Sequence, residues 1–333
     1  MTRPRAVVTE PIHQVGIDLL RTVFEVETDY DRYLDPATLG HALADADAVV
    51  MRSAGLPAQT LRSSPSLKVI AKHGAGLDSV DIAAATDLGI VVANSGDANS
   101  GSVAEHAVAL MLAVLHQIPT TDAKVRQAAF RRPGEVVLGD ISEATVGLIG
   151  FGNIARRVGH MCAAGFGAEV LALDPFVTAE EMAAEGVTKA VDLQDLLPRC
   201  DVVSVHVPLG PETHHLIGAD ELKLLGPRAV LVNTARGGVV DEAALLAALD
   251  AGELRGAGLD VLEHEPPRAG DPLFGSPRVV LSPHVAGGTE LARQRMACAA
   301  AQAAIDVIEG RRPEYLINTA VLDHARVSLE GIH

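Results

Sequence analysis

Three residues of complementary chemistry each follow a short apolar run. Arg236 follows 230–233, Glu265 follows a run ending at Val261, and His284 follows 279–282. A planar guanidinium binds a carboxylate through two parallel hydrogen bonds. An imidazole exchanges a proton with a carbonyl oxygen near neutral pH. A carboxylate beside that imidazole favours its protonated form. Such a set suits hydride addition to, or removal from, the carbon next to a carboxylate. Positioned proton transfer of this kind is worth roughly 10²–10⁴ in rate. Each residue alone also has a bland counterpart: a surface charge, a solvated loop acid, a helix-capping histidine. Glu263 and His264 flank Glu265 and compete with it for the acidic role.

A second constellation lies upstream. Gly147-Leu-Ile-Gly150-Phe-Gly152-Asn-Ile-Ala155 follows an apolar run and opens a helical stretch. Gly150 permits a tight turn, Gly152 lets backbone approach a pyrophosphate, and Ala155 is small enough for close helix–strand packing. The free amides of the helix start would then face negative phosphates. Asp174, at the end of the next apolar run, follows Gly150 at close to the expected interval of about 20 residues. An acid there accepts hydrogen bonds from adenosine ribose hydroxyls and repels an extra phosphate. Pro175 and Phe176 come next, with no Arg. The expected cofactor is therefore NAD rather than NADP.

The elements that must position these groups alternate along the chain. Early Val-, Ile- and Leu-rich runs fall at 6–9, 24–27, 48–51, 68–71 and 90–93. Later ones fall at 146–149, 170–173, 202–207, 230–233, 258–261 and 279–282. They show little alternation of polarity, as strands buried on both faces do. Helical stretches such as 37–44, 192–197 and 241–250 lie between them, which implies parallel sheets in two similar α/β units. The stretch 102–116 opens with Ser102 and Glu105, spaced as a capping box, and its interior AVALMLAVL is apolar all round. It is expected to be buried between the units. An Ala-rich helix at 290–309 would return to the first unit. The expected domains are 1–101 with 288–333, and 102–287.

The bulk numbers set limits. A chain of 333 residues with 48% apolar content fills about two cores. A net charge of −16 makes nucleic acid an unfavourable partner. Cys162, Cys200 and Cys298 are scattered, without metal spacing, as in a reducing compartment. No apolar leader or membrane-length stretch is seen, so a cytoplasmic location is expected, with neither a metal nor a membrane partner.

With these residues in view, the chain resembles the D-isomer-specific 2-hydroxyacid dehydrogenase family. The similarity is carried by GLIGFGNIA (147–155), HVPLGPETHHLI (206–217), NTARGGVVDEAAL (233–245), GLDVLEHEPP (258–267) and SPHVAGGT (282–289). KHGAGLDSVDI (72–82) and NSGDANSGSVAEHAVALML (94–112) extend it. The resemblance implies two doubly wound parallel-sheet domains, a Rossmann NAD-binding domain inserted in a flavodoxin-like substrate domain. Arg236 would orient substrate, Glu265 support the histidine, and His284 exchange the proton. Gly150, Gly152, Asn153, Ile154, Asp174, His206, Pro208, Thr213, Thr234, Ala235, Arg236, Asp260, His284 and Gly287 would line the cofactor, with Asp260 near the nicotinamide carboxamide. Gly74, Ala75 and Gly76 would offer backbone amides to the substrate carboxylate. Asn99 would sit at the domain cleft, and the 102–116 helix would contribute to a homodimer. The chain is expected to lack the C-terminal regulatory domain of long phosphoglycerate dehydrogenases.

Substrate choice is the least determined step. Arg52 and Ser53 follow one run of the first unit, and Lys72 and His73 end the next. Basic groups there are either solvated surface charges or the holders of a second anion, and the latter favours 3-phosphoglycerate or a similar doubly charged acid. A glyoxylate/hydroxypyruvate reductase shares the same trio. A formate dehydrogenase resemblance would call for Gln at position 265. From a different class, an NAD-sensing corepressor-like binding protein would use the fold without turnover.

Overall fold

The computed structural model describes residues 3–129 and 137–329 and divides into two compact units. The first comprises Met1–Asn99 and Gly288–His333, the second Ser100–Gly287. The sequence expectation set the same break two residues later at its first boundary. The Asn-Ser-Gly-Ser run there offers several helix starts, and the helix Ser100–Leu115 begins ahead of Ser102. Ser102 and Glu105 thus lie inside its first turns rather than forming a capping box. Residues 1–2 and 330–333 of the expected outer domain fall outside the described chain.

The first unit holds five parallel strands: β1 (Arg5–Val8), β2 (Glu25–Glu27), β3 (Ala48–Met51), β4 (Val69–Lys72) and β5 (Val91–Ala93). Their order is β2-β1-β3-β4-β5, the flavodoxin-like winding. Two apolar clusters cover its two faces. One contains Ala297, Ala300, Ala304 and Val307 of the helix Glu290–Ile308. Thr289 caps that helix by accepting from the Ala292 amide. It packs so tightly on the helix Gln14–Leu20 that a Cβ on Gly16 would stand 2.8 Å from the Ala297 Cβ.

The second unit is a seven-stranded parallel sheet: β6 (Thr145–Ile149), β7 (Glu169–Leu173), β8 (Thr188–Lys189), β9 (Val202–Val205), β10 (Val230–Asn233), β11 (Gly256–Leu259) and β12 (Val279–Leu281). The order β12-β11-β10-β9-β6-β7-β8 reverses direction at β6, where open sheets of this kind bind ligands. The helix Ser100–Leu115 is buried within this unit, against β10 and β11. Cβ atoms on Gly256 and Gly258 would stand 2.7 Å from Val114 Cγ1 and 2.9 Å from Leu110 Cβ. Those glycines admit the helix, and they explain why β11 starts two residues before the apolar run that marked it. Glycine is a poor strand former and hides a strand's start from the sequence.

Asp residues set the helix starts. Asp35, Asp192 and Asp241 each accept the amide three residues on, opening Pro36–Ala44, Leu193–Leu196 and Glu242–Ala251. Such a cap typically contributes about 1 kcal/mol.

Candidate active site

The turn after β6 is built for a close ligand. Gly150 has φ +91, and a Cβ there would stand 2.9 Å from the His206 carbonyl oxygen. A Cβ on Gly152 would meet nothing within 4 Å. Gly152 precedes the helix Asn153–His160 and has no side chain to cap it. The first amides, at Asn153 and Ile154, therefore stay available to an anion. Ala155 is fully buried against the sheet, the packing role expected of it.

Asp174 accepts the Phe151 amide with one oxygen and the Phe176 amide with the other, both at 2.8 Å. Each oxygen keeps a lone pair for a hydroxyl. His206 and Thr234 follow β9 and β10. His206 Nε2 and Thr234 Oγ1 are buried with no hydrogen-bond partner among the described residues. Burial holds the His206 ring down at about pKa 4, so it is neutral. Buried orphan polar atoms of this kind call for a polar ligand. Together with the uncapped helix start and the space at Gly152, they fit a dinucleotide. Thr213 is spent otherwise: its hydroxyl donates to the Pro208 carbonyl at 2.6 Å and accepts the Gly210 amide. It shapes the 208–213 turn rather than offering its hydroxyl outward.

The trio sits after three neighbouring strands, β10, β11 and β12, and two of its members are in contact. Asn233, 1% exposed, accepts the Ala235 amide and donates to the Arg236 carbonyl, fixing the turn that presents Arg236. The guanidinium donates to the Ala235 carbonyl. Gly237 then lies directly on the Leu262 backbone, which presses this turn onto the loop carrying Glu265. Glu265 accepts the Leu262 amide with Oε1, and its Oε2 lies 2.6 Å from His284 Nδ1. That contact orients the ring and leaves Nε2 for a reacting group. His264 forms no part of this pairing, and Glu263 faces His215 and the Glu242 amide instead.

His284 is held at φ +51, uncommon for a residue with a side chain. Asp260 fixes it there. The Asp260 carbonyl accepts the His284 amide at 2.7 Å, and its carboxylate accepts the Val285 and Ala286 amides. Asp260 was expected at the carboxamide; its carboxylate is found inside this turn, 1% exposed. Gly287 closes the turn. Ser282 and His106 also reach Asp260, and sequence reasoning missed both, along with Asn233. The available signal was the polar pair Glu105 and His106 ahead of AVALMLAVL.

The first unit carries the other candidates. Glu10 accepts the amides of Arg52, Ser53 and Ala54 at 2.5–3.0 Å, and the Thr9 hydroxyl donates to it. Burial alone would raise the Glu10 carboxyl, but these hydrogen bonds outweigh it and hold it below its ordinary value. Arg52 donates to the Pro11 carbonyl and is exposed. His73, 7% exposed, has no partner for Nε2 among the described residues, and burial with the Arg52 charge holds its ring down at about 4. The ring is thus neutral and offers a hydrogen bond rather than a charge. Gly74, at φ +128, donates to Ser95 Oγ. The loop's offer of amides therefore falls to Ala75 and Gly76. Asn99 is the last residue of its segment, in the turn before Ser100.

Comparison with known proteins places this geometry. The profile "D-isomer specific 2-hydroxyacid dehydrogenase, NAD binding domain" matches residues 108–286. A D-3-phosphoglycerate dehydrogenase of Methanocaldococcus jannaschii is 36% identical over 315 residues, 94% of this chain and 59% of that protein. The chain thus spans about three-fifths of that relative's length. A glyoxylate reductase of Thermococcus litoralis is 37% identical, with 96% of this chain and 98% of that protein covered. The crystal structure of an NADPH-dependent glyoxylate/hydroxypyruvate reductase of Sinorhizobium meliloti, bound to citrate, superposes with a TM-score of 0.84. It is 30% identical, covering 96% of this chain and 99% of that one.

Proposed function

This chain belongs to the D-isomer specific 2-hydroxyacid dehydrogenase family, and on that premise we propose that it interconverts a doubly anionic 2-hydroxy acid of the 3-phosphoglycerate class and its 2-keto acid, using NAD. The observation that carries the reading is the 2.6 Å contact of Glu265 with His284 Nδ1. With that nitrogen engaged, Nε2 is the atom that gives a proton to the keto oxygen, or takes one from the hydroxyl. The Arg236 guanidinium binds the substrate carboxylate as a planar fork. Nicotinamide, when bound, would supply or accept the hydride. Asn153 and Ile154 amides, Asp174, His206 and Thr234 would hold the dinucleotide, and Asp174 favours NAD over NADP by charge.

Arg52 is the group assigned to the second anion. Glu10 satisfies the amides beneath it and leaves the guanidinium exposed, while Lys72 is buried and His73 neutral. A second reading, a glyoxylate/hydroxypyruvate reductase, is favoured by that same shortage of cations. The expectations of a homodimer and a cytoplasmic site belong to this proposal. An apolar groove of Ala109, Leu112, Met161 and Phe166, edged by Glu105, supports the former, and three free cysteines the latter.

NADH oxidation against phosphohydroxypyruvate, sulfopyruvate, hydroxypyruvate, glyoxylate and pyruvate, with NADPH in parallel, tests the reading. Preference for the phosphate or sulfonate with NADH is expected. Preference for hydroxypyruvate or glyoxylate replaces it with the second reading. Tight NADH binding without turnover points to a sensor.

A further inference from the structure

The geometry points to His106 as a positioning residue for His284, acting through Ser282 and Asp260. This inference rests on the reading of His284 as the proton-exchanging group. The chain of contacts is short. His106 Nε2 lies 2.8 Å from Ser282 Oγ, and Ser282 Oγ donates to Asp260 Oδ1 at 2.6 Å. Asp260 Oδ1 also accepts the Val285 amide at 3.0 Å, and Oδ2 the Ala286 amide at 2.8 Å. The Asp260 carbonyl takes the His284 amide.

Proton counting fixes the direction of this chain. Asp260 Oδ1 already accepts the Val285 amide, and the serine hydroxyl donates to that same oxygen. A hydroxyl has one hydrogen, so Ser282 Oγ meets His106 as an acceptor. His106 therefore carries its hydrogen on Nε2. The same nitrogen is 3.4 Å from Asp260 Oδ1, where its hydrogen adds a second favourable electrostatic contact.

Asp260 is 1% exposed, and its carboxylate is the common acceptor for two consecutive amides after His284. Those amides and the His284 amide define the turn that holds the ring at φ +51. Strained backbone of this kind persists only where its surroundings over-determine it. His106 comes from a different element, the helix Ser100–Leu115, and holds the Ser282 hydroxyl in place. Removing its donor frees the Ser282 hydroxyl to rotate, and the carboxylate loses its fixed orientation. The ring of His284 then samples positions away from the reacting atom. A misplacement near 1 Å costs up to about 100-fold in rate.

The test uses His106→Leu, His106→Gln and Ser282→Ala in the full chain. Gln carries an amide N–H near the position of Nε2. Expected are a kcat roughly ten- to a hundredfold lower for Leu and Ala, an unchanged KM for the keto acid, and recovery to within about threefold for Gln. The double variant His106→Leu/Ser282→Ala should be no slower than either single, as for members of one network. Equal kcat for Leu and wild type, or equal losses for Leu and Gln, overturns the assignment. A second readout needs no turnover: the His284 ring Cε1–H signal in protein labelled with ¹³C-histidine. That signal should be single in wild type and His106→Gln, and shifted or split in His106→Leu. An unchanged signal in His106→Leu overturns the inference even if no keto acid is reduced. A silent wild-type enzyme with a shifted signal counts instead against the proposed reaction.

Discussion

A Cβ placed on Gly237 would stand 1.9 Å from the carbonyl carbon of Leu262. The backbone after Arg236 and the backbone before Glu265 are therefore in direct contact, and neither is the movable end of a side chain. Glycine at 237 is a condition for Arg236 and Glu265 to share one site.

Gly237→Ala should thus damage catalysis more than its size suggests. The loop bearing Glu265 must shift, and with it the His284 partner. We expect kcat/KM to fall by about 100-fold or more, and stability by about 1–3 kcal/mol, the usual cost of overpacking. Steady-state kinetics and a urea melt would check both. Wild-type kinetics in the alanine variant would show that the contact relaxes freely.

Glu265→Gln keeps the shape of the site and removes the charge beside His284. A neutral amide supports the imidazolium less well than a carboxylate does. The expected result is a kcat lower by roughly 10²-fold with KM little changed. A variant that lost only KM would assign Glu265 to substrate binding.

Asp174 holds the Phe151 and Phe176 amides and would face the ribose hydroxyls. Asp174→Ser retains a hydrogen-bonding group without the charge. NADH affinity should fall, while NADPH use rises, so that the ratio of kcat/KM values moves toward NADPH by about tenfold or more. Measuring both cofactors in one assay decides it; an unmoved ratio would place the selectivity elsewhere.

Stability should decline in acid through two histidines whose ring nitrogens are buried. His73 and His206 have folded values near 4 against an ordinary 6.5. Their neutral forms are favoured by the fold, so stability is full above about 6.5. It is lost as pH falls toward 4, by up to about 3 kcal/mol for each ring. Glu10 acts lower still: its contribution is present above the ordinary carboxylate value and is lost as pH falls through its depressed one. Replacing both histidines with Asn should flatten the decline of Tm between pH 6.5 and 4. An equally steep decline in that variant would trace it to other groups.

The parts legible in the sequence were those coded by residue type at fixed spacing. Gly150, Gly152 and Asp174 announce a phosphate turn and a ribose acid, and buried parallel strands announce themselves as unbroken Val and Leu runs. Arg236, Glu265 and His284 stood out because each ends such a run. What stayed hidden depends on direction rather than type. Nothing in the sequence says that Thr213 turns its hydroxyl onto its own loop, or that Glu10 spends its carboxylate on the amides of 52–54. The partnership of His106 with Ser282 joins residues far apart in the chain, and only the packing of a helix on β11 reveals it. Gly256 lay outside the apolar run that marked β11, and the missing side chains of Gly256 and Gly258 are what admit that helix.

The contact of Gly16 with Ala297 carries a consequence for biosynthesis. The first unit closes one face of its sheet with a helix ending at Ile308, about two hundred residues after its last strand. At roughly 5–20 residues per second, a ribosome needs about 10–40 s to make that stretch. During this interval the apolar face of β3, β4 and β5 has no cover of its own. The second unit, continuous in the chain, can finish folding first. A nascent chain halted before Thr289 would therefore expose that face to holding chaperones or to aggregation.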